Sequence, residues 1–166
     1  MTKEWNNESA DGERNAVKIT RDYDYPRESV FRLLTDPKKA ANVWGPEGSV
    51  KYRFELDPRP GGAIIIHDGD SERIYAKTSG TVLEIVPPER LVVKTATTAT
   101  IATGGTDPWE ALQTVMLEEL GPKRTRVTVL VKILARGSFP GGVEPLEKGF
   151  QGGWGQSLDR LQRELG

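Results

Sequence analysis

Hydrophobic and polar positions alternate through the middle of this chain and shift to helical spacing near its two ends. Between Ala16 and Tyr25, Val17, Ile19, Tyr23 and Tyr25 share one face, and Lys18, Thr20 and Asp22 or Asp24 take the other. A period of two over this length predicts a half-buried strand. "PRESVFRLLTD" follows. Pro26 suits a first helical turn, Glu28 suits its positive end, and Val30, Phe31, Leu33 and Leu34 form an apolar stripe. Asp36 ahead of Pro37 then predicts an N-cap and a second short helix, so two short helices meet at a tight corner.

A succession of strands comes next. "VKYRFELD" places Val50, Tyr52, Phe54 and Leu56 inward and Lys51, Arg53 and Glu55 outward. "PRPGG" turns the chain into "AIIIHD". "RIYAKTSGTVLEIV" reads as a long strand broken or bulged near Gly80. "LVVKTATTAT", "WEALQTVMLEEL" and "TRVTVLVKIL" complete the set, the last with Val127, Val129, Val131 and Ile133 on one face. Short turns between consecutive strands predict antiparallel neighbours, not parallel crossover units.

Beyond "RGSFPGG", the apolar positions Val143, Leu146, Phe150, Trp154, Leu158, Leu161 and Leu165 fall three or four apart, which predicts a long amphipathic helix. Asp159 with Arg163, and Arg160 with Glu164, are expected as ion pairs one turn apart on its outer face. Gly149, Gly152, Gly153 and Gly155 crowd its first half, although each glycine costs a helix about 1 kcal/mol relative to alanine. A close approach to the sheet, a bend, or volume left open around Phe150 and Trp154 would each account for them. A helix that starts later would also do so. The expected architecture is α+β: a curved seven-stranded antiparallel sheet in the order β-α-α-β6-α, wrapped around the C-terminal helix. Residues 1–14 are expected as a flexible polar tail and residues 15–166 as one domain.

Composition narrows the chemistry. With 166 residues, 36% hydrophobic and 28% charged, the chain falls in the globular range. There is no cysteine, and His67 is the only histidine, so neither disulfides, thiolate chemistry nor a usual zinc site can be assembled within one chain. No metal and no cofactor are expected. Net charge is −1 with the basic residues dispersed, which argues against nucleic acid as a partner. No apolar run is long enough for membrane insertion, and the polar N-terminus lacks a secretion signal, so a cytoplasmic location is expected.

Four local features invite a functional reading. Asp57, Arg59, Gly61 and Gly62 read as a tight turn in preference to a ligand anchor. His67 has no nucleophile beside it and reads as structural or surface, with an acid–base role left only if it faces inward. "ATGGTD" lacks the lysine and following helix of a phosphate loop and reads as a loop near a cavity mouth. Asp68, Asp70 and Glu72 do not follow a calcium-loop pattern and read as solvated charges. The aromatic residues carry more information, because Tyr52, Phe54, Phe150 and Trp154 lie on faces that meet between sheet and helix. A sheet of this size is too large for its helices to fill, which leaves room for a largely apolar pocket. The polar groups proposed for it are Tyr52, Tyr75 and Thr114.

Several stretches resemble one family in sequence and in order. They are "YPRESVFRLLTDPKKAANVWGP", the "LDPRPGGAI" turn, the "GTVLEIVPPERLVVK" hairpin and "GGWGQSLDRL" on the final helix. Over roughly residues 16–165 the chain resembles the Hsp-90 ATPase activator homologue-like group of the START-related (SRPBCC) superfamily. The resemblance implies a helix-grip fold with a deep cavity between sheet and long helix, used across the superfamily for lipids, sterols, polyketides and other apolar molecules. The cavity residues expected on this basis are Trp44, Tyr52, Phe54, Ile65, His67, Tyr75, Thr114, Phe150, Gly153 and Trp154. The expected function is binding of a small apolar or aromatic, lipid-like molecule, by a monomer or homodimer. Eukaryotic relatives act on the chaperone ATPase, so a chaperone-associated module is one alternative. A cyclase- or hydrolase-like enzyme using the same cavity is another.

Overall fold

The alternating segments fold as one antiparallel sheet in the computed structural model, which describes residues 16–101, 104–105, 108–137 and 141–166. The expected tail lies outside the described residues, and the expected loop at 102–107 is described only at Gly104 and Gly105. The elements are β1 (Ala16–Tyr23), α1 (Arg27–Thr35), α2 (Pro37–Ala40), β2 (Val50–Leu56), β3 (Ala63–Gly69), β4 (Ile74–Val86), β5 (Arg90–Ile101), β6 (Gly104–Gly105), β7 (Trp109–Gly121), β8 (Arg124–Ala135) and α3 (Val143–Leu165). Seven strands lie in the order β1-β8-β7-β5-β4-β3-β2, and the two-residue β6 pairs with the end of β5. This is the helix-grip arrangement of a curved sheet closed by a C-terminal helix.

Local chemistry explains the corner between β1 and β2. The Asp36 side chain accepts the Lys38 amide at 3.0 Å and caps α2, while its own amide bonds the Arg32 carbonyl at 2.8 Å and closes α1. Val30, Phe31 and Leu34 of α1 are buried against the core.

The second half of α3 is the cover for one side of the sheet. It packs on β1, β8 and α1, with Leu158 and Leu161 buried in one cluster with Val17, Val127, Val129 and Val131. Burying side chains of this size stabilises by about 1.5–3 kcal/mol each before entropy is counted. Tyr23 donates its hydroxyl to the Leu158 carbonyl at 2.8 Å, and Arg21 pairs with Asp159 at 2.5 Å, so β1 and α3 are tied by polar contacts as well.

Two ion pairs expected along α3 are replaced by tertiary ones. Asp159 reaches Arg21, and Arg163 reaches Glu47 at 2.9 Å. Arg160 is folded under the corner, donating to the carbonyls of Val43, Gly45 and Pro46, and is not on the outer face. Exposed i,i+4 pairs are worth only a few tenths of a kcal/mol, so a carbonyl cluster outcompetes them.

Two strands differ from simple alternation. β2 carries a bulge at Tyr52: Lys51 opposes Asp68 and Arg53 opposes His67, so Tyr52 is the extra residue. A one-residue insertion reverses which residues face inward. Phe54 and Leu56 therefore pack toward the core as expected, whereas Val50 and Tyr52 are exposed and Lys51 is drawn in. β4 runs unbroken through Gly80, and its register shifts later, between Val82 and Glu84. Gly80 marks a close approach instead, since a Cβ there would collide with the Lys94 carbonyl oxygen.

Helix α3 begins at Val143, ahead of its glycines, which rules out a delayed start. Among the described residues no helix is long and apolar enough to cross a membrane.

Candidate functional site

The first half of α3 stands away from the sheet and leaves a cavity of about 280 Å³ beneath it. Its floor comes from inward positions of β3, β4, β5 and β7, which alternate with outward ones as any strand must. Ile64, Ile66 and Asp68 come from β3, Thr78 from β4, Thr95 and Thr97 from β5, and Trp109 and Gln113 from β7. Leu146, Phe150 and Trp154 of α3 form the roof, and Trp44 from the corner after α2 closes one side. Gly149 and Gly153 also line it, and a Cβ on either would meet nothing within 4 Å. Of the roles open to the helix glycines, these two leave volume; neither permits a close approach.

A polar line crosses this apolar space. The Trp154 indole N–H donates to Gln113 Oε1 at 2.8 Å, and Gln113 Nε2 donates to Thr95 Oγ1 at 2.9 Å. Gln113 is only 7% exposed, so these bonds satisfy an amide that would otherwise be costly to bury. Thr78 and Thr97 share a hydroxyl–hydroxyl bond of 2.8 Å on neighbouring strands. Trp44 donates its indole N–H to the Leu34 carbonyl at 3.0 Å and packs its ring on Trp154, centroids 5.0 Å apart and planes at 60°. Such tilted aromatic pairs add to the stabilisation that area burial already supplies.

One charge sits in the wall. Asp68 is 8% exposed, and its Oδ1 lies 3.3 Å from Lys51 Nζ and 3.4 Å from Ser49 Oγ. Burial pulls the Lys51 ammonium below its ordinary pKa, against the opposing pull of Asp68; the nearby Arg160 pushes it further down. Ser157 links roof to corner, accepting the Gly45 amide at 3.1 Å and facing the Gly153 carbonyl at 3.0 Å.

Trp44, Phe150, Gly153 and Trp154 thus line the cavity, while six other expected residues lie off its wall. Ile65 and His67 alternate with Ile64, Ile66 and Asp68 and so occupy the opposite face of β3. Tyr75 is the extra residue where Asp68 opposes Ala76 but Gly69 opposes Ile74, and burial together with Asp68 and Asp70 raises its pKa. Tyr52, 44% exposed, bonds the Asp70 carbonyl at 2.5 Å from the β2 bulge. Phe54 packs on the core without reaching the cavity. Thr114 is buried, but on the outer face between Val92 and Leu130.

Asp68, which reads in sequence as a solvated loop charge, is a buried member of the wall. Gln113, Thr78, Thr95, Thr97 and Ser157 are polar wall residues that the sequence reading missed. A signal for them exists: Gln113 shares the two-residue period of Ala111, Val115 and Leu117, an apolar face interrupted by one amide.

The "PRPGG" turn is structural. Arg59 Nε bonds Asp57 Oδ2 at 2.6 Å, and Gly61 adopts φ +81°. Among the described residues no group of three His, Cys, Asp or Glu side chains is placed to hold a metal ion.

Comparison with known proteins agrees with this fold. The family model described as activator of Hsp90 ATPase homolog 1-like protein matches residues 24–166. Protein CV1439 from Chromobacterium violaceum has a similar structure, with TM-score 0.71, 25% identity, and coverage of 91% of this chain and 96% of that one. The AHSA1 (SPO3351) protein from Silicibacter pomeroyi gives TM-score 0.70 at 22% identity, covering 90% and 96% of the two chains. DynU16, from the dynemicin biosynthetic locus, gives TM-score 0.66 at 20% identity; the match covers 91% of this chain but 47% of DynU16. No curated protein matches the sequence.

Proposed function

The chain belongs to the activator of Hsp90 ATPase homolog 1-like family, and on that premise we propose that it is an intracellular binding protein for a small apolar or aromatic, lipid-like molecule. The observation that carries this reading is the cavity, whose wall joins four aromatic rings (Trp44, Trp109, Phe150 and Trp154) to aliphatic side chains and a few polar groups. That composition is the usual one for a ligand pocket, and about 280 Å³ lies just below the ~300–1,000 Å³ range for such sites, which suits a small ligand. The wall's amide and hydroxyls bond chiefly to one another, which favours holding a molecule over transforming it.

The test is mass spectrometry of small molecules released from the purified protein, followed by titration with lipids, sterols and flavonoid-like compounds. Trp44 and Trp154 border the space, so binding is expected to change tryptophan fluorescence and raise the melting temperature. A ligand at 100 times its Kd stabilises by about 2.7 kcal/mol. If nothing co-purifies and the whole panel leaves both signals unchanged, the reading fails.

A further inference from the structure

We infer that the cavity selects a neutral ring compound bearing a hydrogen-bond donor, an alcohol or phenol, whose donor sits on the Asp68 carboxylate. The inference rests on the binding reading above and adds the polarity of the ligand. Four aromatic rings around a small volume favour a flat ring system, which stacks or meets ring edges without filling long channels.

Asp68 decides the polar end. A carboxylate accepts at about four lone-pair positions, and the bonds from Lys51 and Ser49 both fall on Oδ1. The other wall groups are committed differently. Ser157 is bonded to Gly45 and Gly153, Gln113 Oε1 is taken by Trp154, and Thr95 Oγ1 accepts from Gln113. Thr78 and Thr97 bond each other, so every other polar side chain named in the wall already has a neutral partner. The strongest acceptor lining the space is the Asp68 carboxylate, the one charged group among its described lining residues.

The sign of charge follows from its neighbours. An anionic ligand, such as a carboxylic acid, would place a second negative charge beside a carboxylate that is 8% exposed. A cationic ligand would add a third positive charge around Asp68, which already faces Lys51 and feels Arg160. A neutral O–H donor bonds the carboxylate without either cost. Bonds to charged acceptors are worth more than neutral ones, enough for about tenfold in affinity or greater.

The experiment is equilibrium dialysis against four probes of one shape: 2-naphthol, 2-methylnaphthalene, 2-naphthoate and 2-naphthylmethylamine. The wild-type protein is expected to bind 2-naphthol about tenfold more tightly than each of the other three. Asp68→Asn keeps the shape with a weaker, neutral acceptor, and should reduce that preference several-fold. The double variant Lys51→Met with Asp68→Leu removes the pair together, avoids a stranded cation, and should abolish the preference over 2-methylnaphthalene.

Equal binding of 2-naphthol and 2-methylnaphthalene by the wild type, or a preference that survives both variants, overturns the role of Asp68 and leaves the binding reading standing. Failure of all four probes while a lipid without a ring alcohol binds overturns the ring-alcohol class alone. Failure of the probes and of the wider panel overturns both.

Discussion

Trp154 and Gln113 join the roof of the cavity to its floor: the indole N–H of α3 meets the amide oxygen of β7 at 2.8 Å, and both side chains are buried. The bond fixes where the helix crosses the sheet at the level where glycines hold the space open. Its continuation to Thr95 makes the link a chain across two strands and a helix. A buried polar chain is stabilising only while every member is paired.

Removing both ends should therefore cost less than the sum of removing each alone. Trp154→Phe leaves Gln113 Oε1 without its donor, and Gln113→Leu leaves the indole N–H and Thr95 without theirs. Each is expected to lower stability by about 1–3 kcal/mol from the unpaired group, with Trp154→Phe adding a smaller packing loss. The double variant should cost at least about 1 kcal/mol less than the sum of the two. Urea unfolding of the four proteins measures the coupling, and strict additivity would show that the bond contributes nothing.

Tyr23 should shape the alkaline limit of stability. Burial, aided by Asp159 and opposed by Arg21, pushes its phenol well above the ordinary value of 10.0. Above about pH 10 the unfolded chain releases this proton while the folded one keeps it, so the unfolded state gains. The stabilisation is complete below pH 10 and is lost progressively as pH climbs beyond it. Tyr23→Phe forfeits the bond to the Leu158 carbonyl, worth about 1 kcal/mol at neutral pH, and should show a flatter alkaline decline. Parallel unfolding curves of the two proteins between pH 8 and 11 would contradict this.

The elements with strict alternation were the legible ones. Val127, Val129, Val131 and Ile133 of β8 face the core as their spacing requires, and α3 follows its three-and-four pattern from Val143 to Leu165. The cavity floor was legible only where parity was. Ile64, Ile65 and Ile66 form an unbroken apolar run, so period two could not say which of them faces inward. A single extra residue at Tyr52 reversed the outer end of β2 and hid the burial of Lys51. Thr114 misled for a different reason, because the outer face is itself apolar around Val92 and Leu130, and burial there does not signify the cavity. Trp44, Phe150 and Trp154 were easier to find because large aromatic side chains flank helix and corner segments whose positions the pattern sets.

Two glycines should respond to alanine with opposite signs. A Cβ at Gly62 would drive into the Asp57 carbonyl oxygen and lie 2.9 Å from that of Arg59. The backbone cannot move aside, because Gly62 bonds Arg59 and Val82 at 2.8 Å each. Gly62→Ala is expected to cost about 1–3 kcal/mol, as overpacking does elsewhere. Gly152 is exposed on α3 and its Cβ would meet nothing within 4 Å, so Gly152→Ala should stabilise by up to about 1 kcal/mol. Thermal or urea unfolding of the two variants checks both signs, and a stable Gly62→Ala protein would refute the account of the turn.

Gly153 separates the needs of the helix from those of the cavity. It lines the space, a Cβ there meets nothing within 4 Å, and its carbonyl still serves Ser157 whatever the side chain. Replacing glycine in a helix gains up to about 1 kcal/mol, so Gly153→Ala should raise stability with little loss of volume. Gly153→Leu should keep that gain and bury apolar atoms against Phe150 and Trp154, yet occupy the room a ligand needs. Melting temperature is then expected to hold or rise while affinity for the co-purified molecule, or for 2-naphthol, falls at least about tenfold, the scale of a lost contact worth 1.4 kcal/mol. A leucine variant that melts higher and binds as tightly as the wild type would move the binding site elsewhere. One that binds poorly only because it unfolds would be recognised by its lowered melting temperature. The combination of higher stability and lost affinity is the outcome that a glycine retained for its empty volume requires.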